Sequence, residues 1–286
     1  MTQDKGRSLH GRVALVTGAN TGIGLVTARE LAARGAHVFI ACRSAERARA
    51  ALAAIAPRSG GAPAPEALAL DLGDFASVRR CAQGFLARGL PLHLLINNAG
   101  LASARGSTRS GFELAFGVNH MGHFLLTALL LERIEASAPA RIVTVASKAH
   151  YRARGFDWNA LRRPTATRSG FPEYCVSKLA NVLFSAELGR RLAGSGVTTY
   201  AVHPGVVASD IWRRVPWPLR SLIKLAMIST EDGARTTLYC ATAPEVDAAT
   251  GLYYDTCRPR TPSGPARDPA LAAELWQRSQ AWLAAA

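Results

Sequence analysis

The sequence predicts an α/β fold, a single doubly wound parallel sheet with helices on both faces. Short apolar runs alternate with helix-patterned segments along most of the chain. The first strand–helix unit carries a cluster of glycines at its turn. Small and polar residues recur where the apolar runs end, the edge at which open α/β sheets bind ligands. A chain of 286 residues can bury a large core and remain one domain. Residues 1–10 read as a loose polar tail and 11–286 as that domain.

Val13 to Val16 form the first apolar run, and Leu25, Ala28, Leu31 and Ala32 then share one helix face before Gly35 ends the helix. Gly18, Gly22 and Gly24 lie between, in a TGxxxGIG pattern with Asn20, Thr21 and Ile23. Positions without side chains let the turn tighten and let a pyrophosphate reach N–H groups at the positive helix end. The second strand, His37 to Ala41, is followed by Cys42-Arg43-Ser44, with no acid before Glu46. An acid there would accept bonds from the ribose hydroxyls of NAD. Arg43 instead suits the 2′-phosphate of NADP, a charged contact of roughly 1.5–3 kcal/mol, or about 10- to 150-fold in affinity. The plainer alternative is an arginine on a solvated turn.

A helix over 45–56 and a Pro/Gly connector over 57–65 precede a third strand, Ala67 to Leu70. That strand ends at Asp71-Leu72, beside the expected adenine site, although Asp71 also reads as a simple loop residue. A helix over 75–87 leads to a fourth strand, Leu92 to Ile96, which opens into Asn97-Asn98-Ala99-Gly100. Residues 112–136 read as one long helix containing Asn119, His120 and His123. The histidine pair has no third ligand nearby, so it reads as packing and no metal is expected. The fifth strand, Arg141 to Val145, delivers Ser147, and a helix over 173–192 opens with Tyr174 and Lys178, one turn apart. An ammonium so placed can lower a phenol's pKa. Moving tyrosine from ~10 toward ~7 needs about 4 kcal/mol, so a dry pocket, a nicotinamide and Ser147 would have to contribute as well. A helix over 230–242, a short strand over 251–254, a Pro/Arg-rich loop over 258–267 and a helix from Asp268-Pro269 to Leu283 complete the chain.

The formal net charge of +14 comes mostly from arginines scattered singly or in pairs, so no basic stripe suits nucleic acid. Five cysteines with no CxxC spacing indicate reduced thiols and a cytoplasmic location. The longest apolar stretch, Phe124 to Leu131, is too short to span a bilayer, and a soluble protein is expected.

The motifs TGxxxGIG at 17–24, NNAG at 97–100, Asn119, Ser147, YxxxK at 174–178 and HPG at 203–205 follow in this order. Together they resemble the short-chain dehydrogenase/reductase family, with its Rossmann-type fold, over residues 11–257. The segments 41–43, 116–124, 146–150, 174–184 and 203–207 resemble its retinol dehydrogenase-like branch. The resemblance implies Tyr174 as acid/base and Lys178 as the ribose-binding residue that lowers its pKa. It implies Ser147 as the donor to the substrate oxygen and Asn119 as the residue whose backbone holds a water linked to Lys178. Gly18, Gly22 and Gly24 would line the pyrophosphate, with Asn98, Ala99 and Gly100 on the adenosine side. Pro204, Gly205 and Val207 would dock the carboxamide, and Ser209 stands where the pattern often has Thr. Relatives often associate through the helices of Asn119 and Tyr174, so a homo-oligomer is open.

Ser147 and Tyr174 are 27 residues apart, which makes 148–172 an insertion beside the site, with Tyr151 and Trp158 as candidate pocket walls. The apolar segment 208–229, including Trp212 and Trp217, reads as a substrate lid, with membrane contact the lesser reading. The expected function is NADP(H)-dependent interconversion of a carbonyl and an alcohol on an apolar molecule: a retinoid-like or other lipid-derived aldehyde, or a ketone. Reduction is the expected direction. The alternative is an NADPH-binding sensor without turnover.

Overall fold

The computed structural model describes residues 8–59, 61–205 and 229–285. Tyr200, Val143, Ile96, Val16 and Ile40 line up across the centre of an eight-stranded sheet, every one of them buried. The strands are β1 (Val13–Thr17), β2 (His37–Cys42), β3 (Glu66–Ala69) and β4 (Leu94–Asn97). They continue with β5 (Ala140–Val145), β6 (Val197–His203), β7 (Leu252–Asp255) and β8 (Arg258–Pro259). Their order is β3-β2-β1-β4-β5-β6-β7-β8, parallel except for the antiparallel β7–β8 pair. The chain reverses direction across the sheet between β1 and β4, which opens a crevice at their carboxyl ends.

Helices α1 (Gly22–Ala33), α2 (Ala45–Ile55), α3 (Phe75–Leu86), α4 (Leu114–Phe116), α5 (Gly122–Glu135) and α6 (Phe171–Arg191) are joined by α7 (Thr230–Thr242) and α8 (Pro269–Ala284). Strand side chains alternate between the faces. Leu15, Phe39, Leu95 and Ile142 pack under α3, α5, α6 and α8, whereas Ala14, Val16, Val38, Ile40 and Val143 pack under α1, α2 and α7. This is the doubly wound arrangement the sequence predicted.

The structure revises several expectations. The long helix over 112–136 is α4 and α5 joined by a π-helical turn, Gly117–Met121, which carries Asn119. Wide turns of this kind collect at functional sites because they displace one residue from the regular ladder. The run Leu114–Glu135 is long and apolar enough to cross a bilayer by length and composition, unlike the shorter stretch considered above, but 72% of its apolar window is buried as a core helix. Strand β6 and the two-residue β8 had not been assigned from the sequence; β8 makes the sheet's outer pair antiparallel. The expected tail ends before residue 10: Leu9 is buried and its N–H donates to Arg34 O at 2.8 Å. The C-terminal helix packs on the body. Trp276 lies against Phe124 and Phe184, and Trp282 against Phe112 and Phe116, so α8 covers part of α5 and α6.

Candidate active site

Four strand ends converge at the crevice. β1 runs into Gly18, β4 into Asn98-Ala99-Gly100, β5 into Ser147 and β6 into Pro204-Gly205. Gly18 has φ +67°, and a Cβ there would meet Ala99 at 2.9 Å. A Cβ on Gly24 would lie 2.4 Å from Asn98 Nδ2 and 2.6 Å from Gly18 O. Glycine is thus required at both positions, by conformation at the first and by space at both. Thr21 makes no side-chain cap on α1, and the first turn, Gly22-Ile23-Gly24, holds no acidic residue. The helix therefore presents open N–H groups and no negative charge, which fits a dinucleotide pyrophosphate. Asn20 belongs to the same turn.

Thr17 braces this cradle, a role the sequence reading missed. Its Oγ1 accepts the N–H groups of Asn98 at 3.0 Å and Ala99 at 2.9 Å, and Asn98 Nδ2 donates to Thr17 O at 2.8 Å. A threonine ending a strand before glycine was the available signal. Arg43 is exposed just past β2, whose Ala41 O accepts the N–H of Gly18 at 2.7 Å. Asp71 Oδ1 caps the N–H of Gly73 at 2.9 Å, the loop role that had been the alternative to an adenine contact. Leu72 is buried, with its backbone and side chain against Gly122.

At the reacting end, Tyr174 lies beside Ser147, whose side chain works to lower the phenol's pKa, so the two predicted residues meet. Ser147 Oγ accepts Ala149 N–H at 3.2 Å, which caps a 3-10 turn, Lys148–Arg152. His150 approaches the Ser147 carbonyl through Nδ1 at 2.6 Å and accepts Ser263 N–H at Nε2, which fixes the backbone at the serine. Lys178 Nζ lies 5.7 Å from the Tyr174 ring centre and donates to Val145 O at 2.8 Å. Among the described residues Val145 O is its one acceptor, so two N–H directions remain for a ligand. Burial pushes Lys178 down to about 7. Burial likewise raises the Tyr174 phenol, with Ser147 opposing it. The expected lowering of the phenol is therefore not built into the chain alone, because desolvation outweighs the contribution of Ser147. A protonated phenol beside a serine hydroxyl is the form that delivers a proton to a carbonyl oxygen.

Asn119 is buried, and its side chain makes contacts beyond those the sequence suggested. Its Nδ2 donates to Leu101 O and Ser177 Oγ, its Oδ1 accepts Leu101 N–H, and its carbonyl lies 3.0 Å from His123 Nδ1. The side chain thus ties the 98–101 loop to α6. A Cβ on Gly100 would reach within 3.2 Å of Asn119 Oδ1 and 3.6 Å of Lys178 Nζ, so glycine keeps the space beside the lysine clear. His120 and His123 are buried without a metal cluster, none being found among the described residues.

Trp158 and Tyr151 both take part in packing or bonds outside the crevice residues named above. Trp158 stacks on Phe156 at 4.7 Å, with Arg278 over its face and Trp282 beside it, so it packs against α8. Tyr151 is exposed and donates its hydroxyl to Thr261 O. Val207, Ser209, Trp212, Trp217 and nearly all of the 208–229 lid lie outside the described residues.

A glycine cradle for a dinucleotide, opening onto a phenol, a serine hydroxyl and a buried amine, defines an oxidoreductase acting on alcohol and carbonyl groups. The short chain dehydrogenase family model matches residues 12–160. Retinol dehydrogenase 12 from Homo sapiens is 47% identical over 278 residues, covering 95% of this chain and 86% of that protein. Dehydrogenase/reductase SDR family member 13 from Bos taurus is 46% identical, covering 96% of this chain and 73% of its own length. Among solved structures, an uncharacterized protein from Mycobacterium paratuberculosis superposes with a TM-score of 0.77 at 36% identity, over 97% of this chain and 95% of its own. An NADP active-site complex of RhlG from Pseudomonas aeruginosa gives 0.70 at 27% identity, over 86% of this chain and 94% of its own. The chain belongs to the short-chain dehydrogenase family, in its retinol dehydrogenase-like branch.

Proposed function

We propose that the chain is a cytoplasmic NADP(H)-dependent reductase of an apolar carbonyl compound, a retinoid-like or other lipid-derived aldehyde or a ketone. Arg43 carries the cofactor reading: it is exposed at the end of β2, next to the glycine turn, and has no ion-pair partner among the described residues. Its guanidinium suits the 2′-phosphate, and no acid follows β2 in the chain before Glu46. Retinol dehydrogenase 12 and the RhlG complex with NADP favour the same reading of substrate and cofactor. Five free cysteines, four of them buried, favour a reducing compartment.

Bound in this cradle, the nicotinamide supplies the hydride. Ser147 holds the substrate oxygen, and Tyr174 releases its proton to that oxygen as negative charge develops there. Lys178 binds the adjoining ribose through its free N–H directions, and the anionic cofactor favours its charged form. The test is a panel of retinal, medium-chain aldehydes and apolar ketones, scored by loss of NADPH absorbance with NADH in parallel. The proposal expects consumption with at least one of these carbonyls and a preference for NADPH. Binding of NADPH without consumption across the panel would favour the sensor alternative.

A further inference from the structure

We infer that His123 is a positioning residue that couples the Asn119 carbonyl to the loop cradling the cofactor. Its position does not call for an imidazole on packing grounds: Phe124, Leu125 and Leu126 follow it, and the ring is 1% exposed. A buried ring with two polar nitrogens has to be matched on both sides. Nδ1 lies 3.0 Å from Asn119 O, and Nε2 lies 2.9 Å from Thr17 Oγ1.

A carbonyl oxygen can only accept, so Nδ1 bears the hydrogen. Burial holds the ring neutral, and the Lys178 charge adds to this, although the bond to Asn119 works the other way; the net result is a pKa of about 4. Nε2 is therefore bare and accepts the Thr17 hydroxyl. The threonine's geometry agrees. Both of its lone pairs are taken by the Asn98 and Ala99 N–H groups, and its hydrogen has His123 Nε2 at 2.9 Å against Ile96 O at 3.4 Å.

One unbroken, same-direction chain of donors results. It runs from the N–H groups of Asn98 and Ala99 through the Thr17 hydroxyl and the His123 ring to the Asn119 carbonyl. Aligned chains of this kind strengthen one another in a low-dielectric interior. Asn98 and Ala99 are the residues against which Gly24 and Gly18 close, and Asn119 also grips Leu101 beyond them. Moving His123 thus displaces the cofactor cradle and the π-turn together. Both ring nitrogens are engaged, so neither is free to bind a metal.

The activity arm of the test rests on the oxidoreductase reading; the spectroscopic arm does not. In the unmodified protein without cofactor, side-chain ¹⁵N NMR of His123 should show a protonated Nδ1 and an unprotonated Nε2, unchanged from pH 5.5 to 9. The reverse tautomer, or a titration near the ordinary histidine pKa, overturns the inference whatever the enzyme's substrate. In the activity arm, His123→Phe should lower kcat and raise the NADPH Kd, each by roughly ten-fold, the loss of about one buried hydrogen bond at each end. His123→Asn returns an N–H near the Nδ1 position and should recover kcat to within about three-fold while leaving the NADPH Kd raised. A His123→Phe enzyme within about two-fold of the parent in both quantities would reduce the histidine to packing and overturn the inference. If that variant does not fold, His123→Asn and the tautomer decide.

Discussion

Replacing Lys178 with methionine should make the cofactor-free protein more stable at neutral pH while abolishing turnover. The lysine is 3% exposed and titrates at about 7 instead of its ordinary 10.5. At ~1.4 kcal/mol per pH unit, the folded state forgoes about 4 to 5 kcal/mol at pH 7 by burying this amine. Methionine fills a similar volume without that cost. It gives up one hydrogen bond of about 1 to 2 kcal/mol, and Val145 O keeps the Asn181 Nδ2 donor at 3.1 Å. The net gain at pH 7 is about 3 kcal/mol.

The sign with pH follows from proton counting. Between about 7 and 10.5 the unfolded lysine holds a proton that the folded one has released, so the parent's stability rises with pH across that window. The methionine variant lacks this slope, and its advantage should shrink by about 1.4 kcal/mol per pH unit, disappearing near pH 9.5. Denaturant unfolding of both proteins at pH 7, 8 and 9, without cofactor, measures the difference. A variant less stable at pH 7, or an advantage independent of pH, would refute the burial argument.

Three further outcomes are expected. Arg43→Asp should reverse the preference of NADP over NAD, with a loss of NADPH affinity of about 10- to 150-fold; steady-state kinetics with both cofactors checks it, and an unchanged ratio removes Arg43 from the account. Gly24→Ala drives a Cβ into Asn98 Nδ2 and Gly18 O, and should lower unfolding stability by about 1–3 kcal/mol and weaken NADPH binding, measured by denaturation and fluorescence titration. Alcohol oxidation needs the phenolate of Tyr174, whose pKa is raised by burial, so its kcat should climb as pH rises above neutrality in a pH–rate profile.

The sheet was legible wherever side chains carry a period. Strands β1, β2, β4 and β5 are apolar runs buried on both faces, and their sequence signal is the same as their structural cause. β6 begins Val-Thr-Thr, which breaks the apolar run, and β8 contains a proline, so neither announced itself. Ser147, Tyr174 and Lys178 were singled out by the ordered set of motifs and the family resemblance they carry, because a YxxxK spacing alone is common on helices. The π-turn was not, since apolar spacing over 112–136 is compatible with an unbroken helix and the widening depends on tertiary contacts. The packing of Trp158 on α8 was hidden for a related reason: that helix arrives from more than a hundred residues away in the chain. The Thr17–His123 link joins residues 106 apart and could only be seen in three dimensions.

Turnover and NADPH binding by Tyr174→Phe test the account's central claim most directly. The phenol's hydroxyl is the proton donor and lies off the glycine cradle, so kcat should fall by at least about a hundred-fold while the Kd for NADPH stays within about two-fold. A variant that binds NADPH and still reduces its carbonyl at the parental rate would contradict the assignment.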